Sequence, residues 1–526
     1  MIWLILLSIT AILLWYNFVR PMNHFTRMGV KQSKPWPFFG DNWQVVFKYM
    51  SFNELIEWAY NLYPNTRYSG FYQFALPSLI LRDPDLIKQI TIKDFDHFTD
   101  HRPFIDPESD PFWGSNLFFM GGSAWREMRA TISGTFTSSK MKFMFNLMDD
   151  AAETFVKFFV DKKQEVLEVD MKDIFTRYTN DVIATIAFGI KVDSLNEPNN
   201  EFYSMGKRVF NFTGILSRLK FFAVFALPSL FKMFKMSVFD AKATKFLKQV
   251  VFDNINVRKE KGIVRPDMIN ILLETRKGFK EETEDVVETG FATVKETADI
   301  SKFKQKYLTD QDVASQASVF FVAGFDSIAT AMSFSAYELA MNKDVQTRLR
   351  NEIIYTQKTT KGKLTYEALL KMKYLDMVLS EVIRLWPPAP GIDRVCTKPY
   401  TIEPITPDEK PLHLKKGDIL FLPIVGLMHD PEYFPEPEKF DPERFSDENK
   451  NSINPYTYIP FGSGPRNCIG SRFALLEVKV LLYYLLLNFE IELTERMKVP
   501  LKLDPAAVNP IAEGGFWLGL RRVQQN

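Results

Sequence analysis

Residues 461–470 read FGSGPRNCIG, and a run with helical periodicity begins at Ser471. The glycines of this stretch allow tight turns and a close approach of the backbone to a bound group. Cys468 lies directly before the predicted helix, where backbone N–H groups and the helix dipole favour a thiolate, and Arg466 adds a positive charge two residues away. The stretch therefore predicts a cysteine with special chemistry, which could be a nucleophile, a redox thiol or a metal ligand.

The composition of the whole chain limits the functions that this cysteine can serve. Lys and Arg together number 65 and Asp and Glu 64, a balance that argues against a nucleic-acid-binding protein. The 526 residues are 46% hydrophobic and 25% charged, which excludes a disordered chain. Two cysteines cannot form a disulfide framework, so the folded part is expected in a reducing compartment. A phosphate-binding glycine loop is excluded because Asn467 stands where its third glycine would be.

The pattern F-x-x-G-x-R-x-C-x-G in residues 461–470 resembles the haem-binding loop of the cytochrome P450 haem-thiolate monooxygenases, and all five fixed positions match. The resemblance implies that Cys468 is the thiolate ligand of the iron in haem b. It also implies that Phe461 packs against the ligand loop and that Arg466 contacts a haem propionate. The implied fold is mainly α with minor β, a single large haem domain behind an N-terminal anchor.

Further segments follow the same family in the same order along the chain. Trp125-x-x-x-Arg129 resembles the helix that binds a haem propionate, and Arg394 matches a further propionate contact. Glu381 and Arg384 are three residues apart and therefore share one face of a helix. The resemblance adds the arginine of residues 442–445, PERF, as the third member of a buried ion network; this is Arg444.

Residues 323–327, AGFDS, lie midway in a predicted long helix, where this family keeps its oxygen-handling motif. By resemblance, Asp326 and Ser327 relay protons, and Gly324 leaves room for oxygen beside the helix. The family usually has Thr followed by Thr or Ser, whereas this chain has Ser327 and Ile328. The hydroxyl is kept, but the serine side chain is less restricted than threonine. The departure predicts that the Ser327 hydroxyl is less firmly positioned and that oxygen reduction is less tightly coupled to product formation.

The resemblance implies a reaction in which one atom of O2 enters a lipophilic substrate and the other leaves as water. No flavin or nicotinamide site is recognisable in the sequence, so electrons are expected from NADPH-cytochrome P450 reductase, with cytochrome b5 as a second candidate partner. Residues 28–31 and 515–518 resemble insect microsomal members, which favours foreign-compound or endogenous lipid metabolism. Candidates for the wall of the substrate cavity are Phe104, Phe112, Phe118, Phe119, Phe212, Phe320, Phe325, Phe516 and Pro390.

Three alternative functions remain to be weighed. A zinc hydrolase would use His97 and His101, but the glutamate of the H-E-x-x-H motif is missing and Pro103 follows the pair closely. A non-enzymatic haem protein would be favoured by loss of the Asp326 and Ser327 pair, which is present. A haem-thiolate isomerase or dehydratase would work without a reductase, and the nearly standard oxygen motif argues against it.

Residues 2–19 carry no charge and would span roughly 27 Å as a helix, about the hydrocarbon thickness of the endoplasmic reticulum membrane. The first positive charges follow this segment, so the positive-inside rule predicts a cytosolic catalytic domain. We expect a transmembrane anchor in residues 1–20, a basic and proline-rich spacer in 21–40 and the haem-thiolate catalytic domain in 41–526. The apolar but proline-broken residues 221–234 are either core or a second, shallow membrane contact.

The remaining pattern predicts a helical domain with few strands. A capping box at residues 309–312 begins a helix that continues to about residue 340, and a second helical run covers 374–386. Strands are expected within 68–81, in a hairpin at 412–422 that turns at Lys416 and Gly417, and at 515–521. Residues 276–307 are rich in charged residues and threonine, which predicts a solvated loop.

Overall fold

Helices make up most of the structure. The computed structural model describes residues 2–523 except 104, 106, 210–214, 266, 277–289 and 295–304. In chain order the helices are α1 (Ile2–Leu14), α2 (His24–Arg27), α3 (Trp43–Val46), α4 (Phe52–Asn61), α5 (Pro84–Lys88), α6 (Pro111–Gly114), α7 (Gly122–Ser133), α8 (Ser138–Val160), α9 (Met171–Phe188), α10 (Glu201–Val209), α11 (Ile215–Ala226), α12 (Pro228–Met233), α13 (Ala241–Lys261), α14 (Met268–Thr275), α15 (Asp310–Met341), α16 (Lys343–Thr359), α17 (Tyr366–Leu370), α18 (Lys373–Leu385), α19 (Ile424–Met428) and α20 (Ser471–Asn488).

The long helix α15 passes through the core and packs most extensively against α9. Its start is the predicted capping box: the Thr309 hydroxyl accepts from the Asp312 N–H, and the Asp312 carboxylate accepts from the Thr309 N–H. Gly324 permits the close approach of the two helices, because a Cβ at this position would collide with the Ile183 side chain. The predicted helices at 309–340 and 374–386 are thereby confirmed as α15 and α18.

Within the described residues the strands form three small sheets, ordered β1-β2-β7-β4, β3-β9-β8 and β5-β6. The parallel pairing of β2 with β7 brings Leu79 opposite Leu420. The strands are β1 (Tyr68–Gln73), β2 (Leu76–Leu81), β3 (Val166–Asp170), β4 (Ile392–Val395), β5 (Tyr400–Ile402), β6 (Leu412–Leu414), β7 (Ile419–Leu422), β8 (Phe489–Leu493) and β9 (Trp517–Arg522). The strands predicted in 68–81 and 515–521 are confirmed.

The predicted hairpin at 412–422 is wrong, because its two strands belong to different sheets. β6 pairs with β5, whereas β7 lies between β2 and β4. The turn exists, with Gly417 at a φ of +99°, but it closes against another segment. The Gly417 N–H donates to the carbonyl of Cys396, and the Cys396 N–H donates to the carbonyl of Asp418. These bonds tie the turn to Cys396, the residue that follows β4, so β6 and β7 leave the turn toward different sheets.

The N-terminal helical run projects from the globule. Among the described residues, two helices are long and apolar enough to cross a membrane, Trp3–Arg27 and α15. No residue in the apolar window of the first is buried, whereas most of the window in α15 is buried in the core. The run is therefore a candidate for the predicted anchor, and α15 is a core helix. Phe18 packs against Phe38 of the spacer, with ring centroids 4.9 Å apart.

Residues 221–234 and 290–294 differ in how exposed their side chains are. Residues 221–234 form the end of α11 and all of α12, and Met233 and Phe234 are 63% and 66% exposed. The solvated loop predicted for 276–307 is wrong at residues 290–294, where the Phe291 ring packs 5.0 Å from that of Phe445 and Ala292 is buried. Most of the remaining loop lies outside the described residues.

Candidate active site

A cavity of about 500 Å³ lies between α15, α7 and the loop 461–470. Its wall is predominantly apolar, and the accessible surface of Cys468 faces it. Among the described residues of this wall, the titratable side chains are His101, Arg129, Arg466 and Cys468. The cavity therefore combines an apolar interior, one thiol and several nitrogen donors.

The glycine-rich loop holds Cys468 at the cavity wall. The Cys468 N–H donates to the carbonyl of Phe461 at 2.9 Å, which folds the loop back on itself before α20 begins. Gly464 has a φ of +76°, and a Cβ there would overlap the carbonyl of Thr91. Burial raises the pKa of the Cys468 thiol, while the N–H of Gly470 and the charge of Arg129 lower it. The stabilising cation is thus Arg129 rather than the neighbouring arginine that the sequence indicated.

Arg129 and Trp125 project from α7 toward the cysteine loop. The Arg129 guanidinium donates to the backbone carbonyl of Asn467 at 2.9 Å and to its side-chain oxygen at 2.7 Å. Trp125 is 2% exposed and lies beneath the Arg466 guanidinium, whose carbon is 4.3 Å from the ring centroid. The W-x-x-x-R pattern therefore places both residues at the cavity wall, in contact with the loop that carries Cys468.

Arg466 is buried at the same end of the cavity. Its Nε donates to the carbonyl of Thr99 at 2.7 Å, and an Nη atom donates to the carbonyl of Met120. Burial, together with the positive charges of Arg394 and Arg129, lowers the pKa of Arg466 to about 9. A site that gathers these guanidinium groups away from water favours an anionic group in the cavity.

Arg394 lies behind this wall and is fully buried. Its Nη2 donates to the carbonyl of Ser463 at 3.2 Å, while its buried Nε has no hydrogen-bond partner among the described residues. Its neighbour Asp393 accepts from the Nδ1 of His101 at 2.9 Å. Burial lowers the pKa of His101, and the hydrogen bond with Asp393 opposes this shift.

His101 borders the cavity, although sequence reasoning considered it only as a zinc ligand. Its ring stacks on Phe118, with centroids 5.1 Å apart. The sequence offered little signal, because the partner that orients His101 is Asp393, which lies 292 residues further along the chain.

Glu381, Arg384 and Arg444 come together in a buried ion network. Arg384 binds Glu381 in a bidentate arrangement, with Nε–Oε2 and Nη2–Oε1 distances of 2.7 and 2.9 Å. Arg444 donates from Nε to Glu381 Oε1 at 3.3 Å. Arg384 also donates to the backbone carbonyls of Met428 and Pro437. The network therefore ties α18 to the chain that leads toward the cysteine loop.

The middle of α15 presents Gly324, Ser327 and Ile328 to the cavity. The Ser327 hydroxyl donates to the carbonyl of Ala323 at 2.5 Å. Asp326 is outside the cavity wall, and its Oδ1 lies 2.9 Å from the Nζ of Lys172. The structure thus brings Ser327 to the cavity but turns the neighbouring carboxylate toward α9.

This geometry agrees with comparisons to known proteins. The family model described as Cytochrome P450 matches residues 30–514. The chain belongs to the cytochrome P450 family. It is 43% identical to Cytochrome P450 9e2 of Blattella germanica, over 99% of this chain and 98% of that protein. It is 42% identical to Probable cytochrome P450 9f2 of Drosophila melanogaster, over 98% of each chain. It is 36% identical to Cytochrome P450 6k1 of Blattella germanica, over 95% of this chain and 93% of that protein.

The family establishes this cytochrome P450 as a haem-thiolate monooxygenase. Its residues fit a haem, which needs an axial ligand for iron and partners for two carboxylates. Cys468 faces the cavity, and Arg129 and Arg466 lie at the wall beside it. The unpartnered, buried Nε of Arg394 is a donor that a carboxylate would satisfy. Burying the haem carboxylates without such partners would cost several kcal/mol.

Aromatic and apolar side chains form the rest of the wall in this cytochrome P450. Three of the predicted wall residues are confirmed: Phe118, Phe119 and Phe320. Four others lie in the core instead: Phe112, Phe325, Pro390 and Phe516. Phe104 and Phe212 lie outside the described residues. The sequence reasoning also missed Phe136 and Phe239.

Phe325 was predicted to line the cavity but does not, because it lies on a different face of α15 from the wall residues. Phe320 and Ser327 share the helix face that borders the cavity, whereas Phe325 lies on the face toward α10. There its ring centroid is 6.2 Å from that of Tyr203. Counting phenylalanines identifies apolar candidates, but the helix phase decides which of them can meet a substrate.

The zinc hydrolase alternative finds no support in the geometry. Among the described residues, the cluster of side chains that could hold a metal ion consists of Glu57, His429 and Glu438. It does not include His97 or His101. The Nδ1 of His429 lies 3.0 Å from Glu57 Oε1, a distance that a partly buried hydrogen bond explains.

Proposed function

We propose that this cytochrome P450 is a membrane-bound monooxygenase that uses electrons from NADPH-cytochrome P450 reductase and acts on lipophilic substrates. The apolar cavity with Cys468 at its wall and Ser327 on the facing helix carries this proposal. An apolar wall favours substrates that give up little hydration when they enter. The proposal includes foreign-compound or endogenous lipid metabolism, in agreement with the microsomal resemblance of the sequence.

The proposed cofactor is haem b, held by Cys468 through its iron. Trp125, Arg129, Arg394 and Arg466 would hold the propionates by charge-assisted hydrogen bonds. His101, positioned by Asp393, adds a further donor at the same wall. When bound, the haem supplies the iron at which O2 is reduced, and the thiolate favours cleavage of the O–O bond.

The proposed role of the residues on α15 is to deliver protons. The overall reaction converts substrate, O2, NADPH and one proton into hydroxylated substrate, water and NADP⁺. Ser327 faces the cavity and can exchange its hydrogen bond with Ala323 for one with water or oxygen there. Asp326, one residue earlier, can take up protons from the solvent side of the helix. Gly324 keeps the cavity wall free of a side chain at this position.

The proposed partners and location follow from the family resemblance and the exposed apolar segments. The reductase supplies electrons, and cytochrome b5 is a second candidate donor. Residues 1–20 would anchor the protein in the endoplasmic reticulum membrane and hold the catalytic domain, residues 41–526, on the cytosolic side. The exposed side chains of Met233, the last residue of α12, and of Phe234, which follows it, support a second, shallow contact with the same membrane.

Spectroscopy and turnover with the full-length enzyme test this proposal. The reduced enzyme treated with carbon monoxide should show the red-shifted Soret band of a thiolate-ligated haem. Cys468→Ala should lose this band, while Cys396→Ala should keep it, because Cys396 is buried and lies outside the cavity wall. With reductase and NADPH, a panel of lipophilic compounds should yield hydroxylated products. Loss of the band only in Cys396→Ala, or the absence of NADPH-dependent product across the panel, would contradict the proposal.

A further inference from the structure

A short turn at residues 290–294 is fastened to both α18 and α20. The Phe291 N–H donates to Oδ2 of Asp376, which lies in the first turn of α18, at 2.8 Å. The other oxygen of the same carboxylate accepts from the Nζ of Lys479, on α20, at 2.7 Å. Hydrogen bonds to an ionised carboxylate are stronger than those between neutral groups. One carboxylate therefore joins the turn to the two helices.

Gly290 allows the turn to approach this ion pair. Its φ is +146°, and a Cβ at this position would overlap the Asp376 carboxylate and lie 2.9 Å from the Nζ of Lys479. The Lys479 side chain is only 1% exposed. The carbonyl of Gly290 accepts from the Thr293 N–H at 3.1 Å, which closes the turn. The turn is therefore docked through a contact that a residue with a side chain would disrupt.

The Phe291 ring completes a cluster of three aromatic side chains. Its centroid lies 5.0 Å from that of Phe445 and 5.3 Å from that of Tyr458. The rings of Phe445 and Tyr458 are themselves 5.0 Å apart, so each ring contacts the other two. Ala292, which follows Phe291, is also buried. Aromatic pairs at these distances stabilise each other beyond the burial of their surfaces. Phe291 therefore restrains the Tyr458 side chain.

Tyr458 lies where the chain enters the cysteine loop. Its hydroxyl donates to the carbonyl of Ser380 at 2.9 Å, and Phe461 follows three residues later. The carbonyl of Phe461 accepts from the Cys468 N–H at 2.9 Å. The side chains of Phe291 and Tyr458 are both described, and neither borders the cavity. Any effect of Phe291 on Cys468 is therefore transmitted through the backbone of the loop and does not involve contact with a substrate.

We propose that residues 290–294 form a strap that holds the cysteine loop in position from outside the cavity, with Phe291 as a positioning residue for Cys468. The strap is fastened at Asp376, and the Phe291 ring restrains Tyr458. Without the strap, the hydrogen bond between the Cys468 N–H and the loop opens more often, while the cavity wall keeps its residues. This inference rests on the proposed ligation of haem iron by Cys468.

Amide hydrogen exchange of the full-length, haem-loaded enzyme tests the strap. Phe291→Ala removes the ring, and Gly290→Ala places a Cβ against the Asp376 carboxylate. Phe252→Ala is the matched control, because Phe252 is also partly buried against the core and lies outside the cavity wall. Exchange is followed by mass spectrometry in peptides that cover residues 456–470 and, for comparison, α15. The exchange rate reports how often each segment opens locally.

Phe291→Ala should raise the exchange rate in residues 456–470 about tenfold, because two aromatic pairs that oppose opening are lost. Exchange in α15 should stay at the wild-type rate. Gly290→Ala should change exchange in the same segment and in the same direction. Phe252→Ala should leave residues 456–470 at the wild-type rate. Wild-type exchange of this segment in both strap variants would overturn the inference, and so would an equal acceleration in α15, since that would show general loosening.

The thiolate spectrum separates the strap from the ligation on which it rests. In the reduced enzyme with carbon monoxide, Phe291→Ala should lose the red-shifted Soret band about tenfold faster than the wild type, and Phe252→Ala should keep the wild-type rate. Phe291→Leu retains part of the apolar contact and replaces Phe291→Ala if that variant does not fold with haem; it should lose the band at an intermediate rate. Equal rates in the wild type and the Phe291 variant would overturn the strap. A red-shifted band that persists in Cys468→Ala would instead remove the ligation, whereas the exchange of residues 456–470 is measured independently of which residue binds iron.

Discussion

Replacement of Glu381 by alanine should destabilise the protein by about 3–5 kcal/mol, the cost of leaving one member of a buried ion pair without its partner. Glu381 and Arg384 are both 0% exposed. Besides Arg384, the Glu381 carboxylate accepts from the N–H of Asp441 at 2.9 Å and from Arg444 at 3.3 Å. After the substitution, Arg384 keeps only neutral backbone acceptors among its described partners. Its charge would therefore be buried without compensation, which explains the large magnitude.

The assay is urea unfolding followed by far-ultraviolet circular dichroism, together with haem content per protein. Glu381→Gln keeps an acceptor of similar shape but removes the charge, so its loss of stability should be smaller. The matched control is Glu490→Ala, which breaks a largely exposed pair with Lys343 whose N–O distance is 3.0 Å. Exposed pairs contribute about 0–1 kcal/mol, so the control should stay close to the wild type. A Glu381→Ala protein with normal haem content and a stability within about 1 kcal/mol of the wild type would refute the reasoning.

Three other perturbations test separate parts of the molecule. Ser327→Ala should keep a normal thiolate-haem spectrum but release more peroxide per NADPH, and Ser327→Thr should match or exceed wild-type coupling; equal coupling in the wild type and Ser327→Ala would show that protons arrive by another route. Deletion of residues 1–20 should abolish integral anchoring without loss of haem, and fully soluble behaviour would exclude the contact at 221–234. Burial raises the pKa of Glu338 from its usual 4.5 to about 7, despite a hydrogen bond from Trp386. Because the folded state favours the protonated acid, protonated Glu338 contributes to the free energy of unfolding below about pH 4.5, and this contribution is lost as the pH rises through about 7. Glu338→Gln should therefore be more stable than the wild type above pH 7, by up to about 3 kcal/mol. Thermal unfolding across a pH series measures the difference. Identical pH profiles for the two proteins would contradict this assignment.

Local patterns were sufficient to predict the elements that carry the site. The capping box at Thr309 marks the start of α15, and the proline after residue 386 marks the end of α18 within a few residues. The spacing within 461–470 identified the cysteine loop, because ten adjacent residues hold most of its information. Signals of this kind depend on short-range contacts, which a single sequence displays directly.

Features that depend on distant partners could not be predicted. The prediction of a hairpin at 412–422 was wrong because β7 pairs with β2, a strand more than 300 residues earlier in the chain. The outward position of Asp326 depends on Lys172 and Asn509, which are 154 and 183 residues away. No local pattern around residue 326 indicates either partner. Such pairings are decided by which segments the whole fold brings together.

The ion network and the cysteine loop are connected through α18, and this connection bears on what Glu381 does. Ser380 precedes Glu381 and accepts, through its backbone carbonyl, a hydrogen bond from the buried Tyr458 hydroxyl at 2.9 Å. Tyr458 lies three residues before Phe461, whose carbonyl accepts from the Cys468 N–H. The same turn of α18 therefore holds both the chain clamped by Arg384 and the start of the cysteine loop. Loss of Glu381 should consequently displace the loop as well as lower stability, so haem content should fall even at denaturant concentrations where the chain remains folded.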